Sequence, residues 1–212
     1  MQLHSFFNSS TSYRVRIALA IKGISYDTLP VNIRVLEHRK PEYVEHNPSA
    51  SVPLLTDDAF ELSQSLAIID YLDARYPEPR LIPLQTEQRA RVLELSNVIG
   101  CDMHPVNNMR ILKYLKNELK LSDAQKQAWY HHWIAEGMTT VEAMLRRHEA
   151  QPYCFGETPT LADCCLVPHV ANALRMGCAL SAYSRAMAVY QHCMEQPAFG
   201  AAAPERQPDY IT

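Results

Sequence analysis

No two cysteines in this chain stand at C-x-x-C spacing, although there are six: Cys101, Cys154, Cys164, Cys165, Cys178 and Cys193. That absence removes the dithiol turn on which a thiol–disulfide oxidoreductase depends. The adjacent Cys164-Cys165 pair suits neither a zinc site nor a disulfide, so no metal site is expected and the six read as free or buried thiols of a reducing cytoplasm. No apolar run approaches the ~20 residues a membrane span requires. The N-terminus "MQLHSFFNSS" lacks the positive and apolar regions of a signal peptide. A large excess of one charge is also missing: the formal net charge is −3, which gives no reason to expect nucleic acid or an anionic membrane as partner. Repeats and low-complexity segments are absent. What remains is an ordinary globular composition, 47% hydrophobic and 20% charged over 212 residues, enough for one large domain or two small ones.

The pattern of elements changes part-way along. Residues 2–7 form a short mixed apolar run, read as a strand. Residues 13–21 then carry Val15, Ala18, Leu19 and Ile21 at helical spacing, closed by a cation and a glycine at Lys22-Gly23. The stretch 24–33 is β-branched and alternating, with Pro30 suited to an edge or a bulge. Strand, helix and strand over some thirty residues make a βαβ unit. A short helix or turn from Pro41, a strand at 52–56, a last short strand and a helix over 65–75 follow. The segment "YPEPRLIP" (76–83), with three prolines in eight residues, reads as a linker. Beyond it the periodicity is helical throughout, over 87–99, 105–119, 122–147 and 161–175, and Thr160 with Asp163 fits a variant capping box. The expectation is a small α/β domain followed by a larger all-α one.

Four consecutive hydroxyls, Ser9-Ser10-Thr11-Ser12, stand where the first helix begins. A helix N-terminus leaves backbone N–H groups unpaired and carries partial positive charge. One hydroxyl suffices as a cap, and Ser12 is the expected one; the surplus suits a bound thiolate or phosphate. Two further places have a similar double reading. Pro53 after Val52 heads an apolar strand, either as an ordinary trans turn or as a cis bond exposing the backbone of Val52 to a ligand. Gln64-Ser65 opens the helix "SLAIIDYL", with Ser65 as a plain N-cap or its helix end as a carboxylate seat. A thiolate seat, a backbone-pairing edge and a carboxylate seat are together what a thiol peptide such as glutathione needs. Arg14 and Arg16, inside the first helix, are expected in intramolecular ion pairs, with orientation of the hydroxyl turn as their other reading.

The segments "SSTSYRVRIAL", "SVPLL", "SQSLAIIDYL", "LIP" and "TPTLADCCLVPHVANALR" resemble the zeta class of the glutathione S-transferase family, whose members include maleylacetoacetate and maleylpyruvate isomerases. The resemblance runs from Leu3 to the "QPD" at 207–209, and the hydroxyl motif is its most specific part. It implies a thioredoxin-like glutathione-binding domain over 1–80, an all-helical C-terminal domain over 86–212, and a homodimer. It implies further that Ser9, Ser10 and Thr11 surround the sulfur of glutathione and activate it. Val52 before Pro53 would pair with the cysteinyl backbone, Gln64 and Ser65 would hold the γ-glutamyl end, and His38 the glycyl end. His104 and Asn108 would border the cofactor. Arg110, Arg175, Met109 and Asn8 would border a small-molecule substrate.

The activity so implied is glutathione-dependent cis–trans isomerisation of a maleyl diketo acid, maleylacetoacetate first and maleylpyruvate as the alternative. Conjugation or dehalogenation of α-halo acids would use the same thiolate, and a non-catalytic glutathione-binding protein is the remaining reading. From the residues alone, Arg110 is either a carboxylate ligand or a solvated helix charge, and His104 either an acid–base group or a helix-start histidine. The chain departs from the family's pattern in three places: Thr11 replaces a cysteine, which removes any covalent role there, Asn8 replaces an arginine, and Met109 offers no charge where a basic residue would help.

Overall fold

In the computed structural model, which describes residues 1–211, the N-terminal apolar run forms strand β1 (Gln2–Ser5). Helix α1 (Ser10–Ile21) crosses back to strand β2 (Asp27–Pro30), which pairs parallel to β1 from Gln2 opposite Asp27 to Ser5 opposite Pro30. Strand β3 (Leu54–Asp57) lies antiparallel on the other side of β1, and β4 (Phe60–Ser63) antiparallel to β3, giving the order β2-β1-β3-β4. The βαβ unit read from the sequence is therefore present, but β2 is much shorter than 24–33. As an edge strand it pairs on one side only, where proline is tolerated at its end. Just past it, the Glu37 carboxylate accepts the Asn32 N–H (2.6 Å) and turns the chain away from the sheet.

Helix α3 (Ser65–Arg75) packs against α1. Leu3, Val15, Ile17, Leu19, Leu55, Ile69 and Leu72 between the helices and the sheet are fully buried. Helix α1 is buried from Ser12 to Leu19, so residues on both of its faces are enclosed. The Gly23 φ of +63° supplies the left-handed turn that ends α1. A short helix α2 (Pro41–His46) precedes β3.

The proline-rich segment is pinned. The buried Lys22 Nζ donates to Asp73 Oδ1 (2.8 Å) and to the carbonyls of Tyr76 and Pro79. Asp73 in turn accepts the N–H groups of Leu81 and Ile82. Two compact units result: Met1–Ile82 together with the segment from Met194 onward, and Pro83–Cys193. The return of the C-terminal segment to the first unit is a second crossing that a boundary placed at the linker alone does not contain.

The second unit is helical. Helix α4 (Thr86–Asn97) continues through a π-helical turn (Val98–Met103) into the three-residue α5 (His104–Val106). Then follow α6 (Met109–Asn117), α7 (Asp123–Leu145), α8 (Leu161–Arg175) and α9 (Ser184–Met194). The single helix expected over 105–119 is broken, because Asn108 leaves the helical region (φ −65°, ψ 149°) and its Oδ1 accepts the Arg110 N–H, starting α6 afresh. Asp163 closes the expected capping box, accepting the Thr160 N–H at 2.8 Å while its other oxygen accepts that of Cys154. Helix α10 (Pro197–Ala201) belongs to the segment that rejoins the first unit and packs against α1. No helix among the described residues is long and apolar enough to cross a membrane, and no group of three or more His, Cys, Asp or Glu among them is placed to hold a metal.

Candidate active site

Ser9, and not Ser12, caps α1. Its backbone is extended (φ −82°, ψ 117°) and its Oγ accepts the Ser12 N–H at 3.2 Å. The helix thus begins at Ser10, three residues earlier than the apolar pattern indicates, and Ser12 Oγ is buried with no hydrogen-bond partner. A hydroxyl carries one proton, and that of Thr11 goes to the Val52 carbonyl at 2.8 Å. The contact between Ser9 Oγ and Thr11 Oγ1 (2.9 Å) must then have Ser9 as donor. A directed chain of hydrogen bonds, Ser9 to Thr11 to Val52, joins the start of α1 to the residue before Pro53. The Val52–Pro53 peptide is cis. Ser10, half-buried at the first helical position, has no side-chain acceptor among the described residues. The structure therefore brings Ser9, Ser10, Thr11, Val52 and Pro53 together, with the first unpaired N–H groups of α1 beside them.

The loop that carries Val52 is held from below. The Ser51 carbonyl accepts the Tyr43 hydroxyl (2.7 Å) and Asn47 Nδ2 (2.6 Å), while Asn47 Oδ1 accepts the N–H and hydroxyl of Ser49. Burial pushes the Tyr43 phenol up to about 12, so it remains a donor at any physiological pH.

The third seat differs from expectation in its cap. Gln64, not Ser65, occupies the N-cap position of α3, in the left-handed region at φ 73° and without a side-chain cap. A non-glycine residue there costs of order ~1–3 kcal/mol. Ser65 is the first helical residue, and its buried Oγ accepts Arg14 Nη1 at 3.3 Å. Arg14 is itself only 2% exposed, and its Nε and Nη2 are buried without any hydrogen-bond partner. Among the described residues Arg14 lacks the expected ion pair, and the donors of Arg16 go to the carbonyls of Phe6, Phe7 and Ala202 and to Ser5 Oγ, with Asp209 and Glu205 near enough to act on its charge. A buried guanidinium without a carboxylate is costly. Positive charge, helix end and exposed Gln64 at one place match a carboxylate-bearing ligand. His38 lies buried (6% exposed) in the turn Glu37–Arg39, and Asn8 is half-buried directly before Ser9.

The remaining candidates all belong to the second unit. Asn108 Oδ1 is used as the cap of α6, so its Nδ2 faces His104 Nε2 (3.2 Å) as a donor. That bond requires a neutral imidazole whose proton is on Nδ1. Met109 is the first residue of α6, and Arg110 after it is exposed. Arg175, in the last turn of α8, donates to Asn172, whose amide donates to the Tyr130 hydroxyl. Burial raises the Tyr130 phenol well above its ordinary value, keeping it protonated. None of the six cysteines is in a disulfide; Cys101 is exposed and the other five are buried.

The arrangement meets the requirements of a thiol tripeptide on the residues present: unpaired N–H groups and hydroxyls for an anionic sulfur, a backbone edge, and an uncompensated buried cation by a helix end. Comparison with known proteins agrees. The glutathione S-transferase N-terminal domain matches residues 8–75, and the C-terminal domain of the same family matches 127–192. The chain belongs to the glutathione S-transferase family, zeta class. Maleylacetoacetate isomerase of Pseudomonas aeruginosa is 42% identical over 212 residues, covering 99% of this chain and 98% of that one. The holo structure of maleyl pyruvate isomerase, described as a bacterial zeta-class glutathione S-transferase, is 43% identical, covers 100% of both chains and superposes with a TM-score of 0.97. Maleylacetoacetate isomerase of Anaeromyxobacter dehalogenans, solved with GSH bound in its active site, is 34% identical with a TM-score of 0.88 over 98% of this chain and 96% of that one. The fold, a four-stranded sheet with helices followed by an all-helical domain, is thus the one read from the sequence.

Proposed function

We propose that this zeta-class transferase is a glutathione-dependent cis–trans isomerase of a maleyl diketo acid, with maleylacetoacetate as first substrate and maleylpyruvate as second. The observation that carries the reading is the hydroxyl-lined start of α1, tied by Thr11 to Val52 before cis-Pro53. Bound glutathione supplies a nucleophilic sulfur that adds reversibly to the cis double bond and leaves after rotation, so the tripeptide is regenerated.

The chain's part is to keep that sulfur ionised and in place. A free thiol has a pKa of ~8.5, and holding it about two units lower takes ~2.7 kcal/mol of preferential stabilisation of the thiolate. The end of α1 contributes ~0.3–1 kcal/mol, and one hydroxyl donating to the anion ~1.5–3 kcal/mol. One donor plus the helix end therefore suffices. Ser10 donates without any rearrangement, and Ser9 by turning its proton away from Thr11. Thr11 has its proton on Val52 and acts by fixing that residue's backbone. Gln64, Ser65 and the charge of Arg14 hold the γ-glutamyl end, and His38 the glycyl end. We assign a substrate carboxylate to Arg110 and the second to Arg175, with Asn8 and Met109 against the substrate and His104 with Asn108 at the cofactor's edge.

Identity to the two kinds of isomerase is nearly equal, and their substrates differ mainly in tail length. The working unit is proposed to be a homodimer in the cytoplasm. Incubation of either substrate with enzyme, with and without glutathione, distinguishes the readings when enol absorbance and free thiol are followed together. Isomerisation with the thiol count unchanged is the expected result. Stoichiometric thiol loss would make it a conjugating or dehalogenating transferase, and glutathione binding with no turnover a non-catalytic protein.

A further inference from the structure

The "QPD" segment near the C-terminus takes no part in the site described above, yet it reaches the loop that feeds it. Between the end of β1 and the start of α1 the chain has only residues 6–9. The backbone groups of Phe6 and Phe7 in that loop are held by hydrogen bonds. The Phe7 N–H donates to Asp209 Oδ2 at 2.8 Å, across 202 residues of sequence, and the Phe7 carbonyl accepts Arg16 Nη2 at 3.0 Å. The Phe6 carbonyl accepts the Ser9 N–H (2.9 Å) and, at 3.4 Å, Arg16 Nη1.

Arg16 also donates through Nε to the Ala202 carbonyl (3.0 Å), so one guanidinium joins the loop, α1 and the C-terminal segment. Around this polar bracket the Tyr210 ring meets Phe7 edge to face at 5.3 Å, and Arg34 lies over the rings of Phe6 and Phe7. Gln207 fixes the segment's own turn, donating to the carbonyls of Ala201 and Ala203. Tyr13, in the first turn of α1, donates to the Phe199 carbonyl at 3.1 Å.

We infer that the C-terminal segment is a strap that sets the geometry of the hydroxyl turn, with Asp209 and Arg16 as positioning residues that hold the backbone N–H and C=O of Phe7. Both backbone polar groups of Phe7, two residues before Ser9, are fixed, so the direction in which Ser9 and Ser10 leave the sheet is fixed with them. Hydrogen bonds to a carboxylate and to a guanidinium are about twice as strong as neutral ones, and a sub-ångström displacement of a donor is enough to cost turnover. The γ-glutamyl contacts assigned to Gln64 and Ser65 do not run through this loop, whereas Val52 meets it through Thr11 and packs with Phe6 and Phe7. Loss of the strap therefore falls chiefly on ionisation of the thiol and on kcat, and less on affinity.

This inference rests on the thiolate reading of the site, and the experiment separates the two. Full-length native protein, Asp209→Ala and Asp209→Asn are compared by kcat, KM for glutathione, melting temperature, and the pH titration of the bound thiol through its thiolate absorbance. Asn keeps an oxygen for the Phe7 N–H, and its amide nitrogen displaces no bond, because Asp209 Oδ1 has no partner. For Asp209→Ala, kcat falls about tenfold, equivalent to ~1.4 kcal/mol, the bound thiol titrates about one unit higher, and KM changes less than about twofold. Asp209→Asn recovers most of both losses. A native complex whose thiol titrates at its free value would remove the thiolate reading itself. A native thiol that is lowered, with Asp209→Ala unchanged in thiol titration and kcat, would overturn the strap alone. So would an Asn variant as impaired as the Ala variant. Should Asp209→Ala fail to fold, Asp209→Asn against Asp209→Glu gives the same comparison, because the longer side chain misplaces the acceptor.

Discussion

Replacing Ser9 and Ser10 by alanine, one at a time, separates capping from thiol activation. Ser9 Oγ accepts the Ser12 N–H at 3.2 Å and donates to Thr11 at 2.9 Å, whereas Ser10 Oγ makes neither bond. Ser9→Ala therefore removes an N-cap, costing ~1 kcal/mol and lowering the melting temperature by about 2–4 °C in a chain of this size. Ser10→Ala leaves stability within about 0.5 kcal/mol. Each hydroxyl that donates to the thiolate contributes ~1.5–3 kcal/mol, so its loss raises the pKa of bound glutathione by about 1–2 units.

The kinetic consequence follows from the ionised fraction. A thiol titrating near ~6.5 is about three-quarters ionised at neutral pH, and one near ~8 about a tenth, a roughly eightfold loss of turnover. The sign is checked by raising the pH: the variant's deficit shrinks as the medium passes its new pKa, which a damaged site would not do. Ultraviolet titration of the bound thiolate and the pH profile of kcat measure the two quantities independently. Unchanged titration and turnover in both variants would refute the assignment of the donors, as would a deficit that persists at alkaline pH.

Thr11→Val keeps the shape but leaves the Val52 carbonyl and the Ser9 hydroxyl without their partner, so calorimetry should find glutathione bound about tenfold more weakly, ~1.4 kcal/mol, with kcat changed little. Arg110→Ala should raise KM for the maleyl substrate while the KM for glutathione stays put; a change in the glutathione term instead would remove Arg110 from the substrate. Glu142 is buried, which pushes its carboxyl up, but the N–H groups of Ala186 and Arg185 and the Arg146 guanidinium outweigh burial and hold it below its usual value of 4.5. Its stabilisation is present above that value and is lost as pH falls through the lower folded pKa. Glu142→Gln should thus lower stability at neutral pH by ~1.5–3 kcal/mol and flatten the acid limb of a melting-temperature profile, whereas an unaltered acid limb would show that the carboxylate carries no such linkage.

Sequence periodicity identified β1, α1, α3, α7 and α8, helped by local end signals at Lys22-Gly23 after α1 and Thr160 with Asp163 before α8. The capping box of Ser122 with Gln125 at the start of α7 is as local a signal, though periodicity alone carried that helix. Helix α9 has no such signal in its own residues. Its first N–H groups, those of Arg185 and Ala186, are accepted by Glu142 from α7, more than forty residues away. The same limit hid the details of the candidate site. Ser9, Ser10, Thr11, Val52, Pro53, Gln64 and Ser65 were recognisable as a set, since each is a local helix end or strand entry. Which hydroxyl caps α1, where the Thr11 proton goes, and that Arg14 answers to Ser65 instead of to a carboxylate depend on neighbours brought together only by the fold. Long-range contacts of this kind leave no spacing to read. The "QPD" segment is the extreme case, its partner Phe7 lying at the opposite end of the chain.

The structure of the glutathione complex of this protein tests the central claim most directly. The account places the tripeptide's sulfur in front of α1, within hydrogen-bonding distance of the Ser9 or Ser10 hydroxyl, with its γ-glutamyl carboxylate at Gln64-Ser65. A sulfur bound elsewhere, or a tripeptide lying with its γ-glutamyl end away from α3, would contradict it.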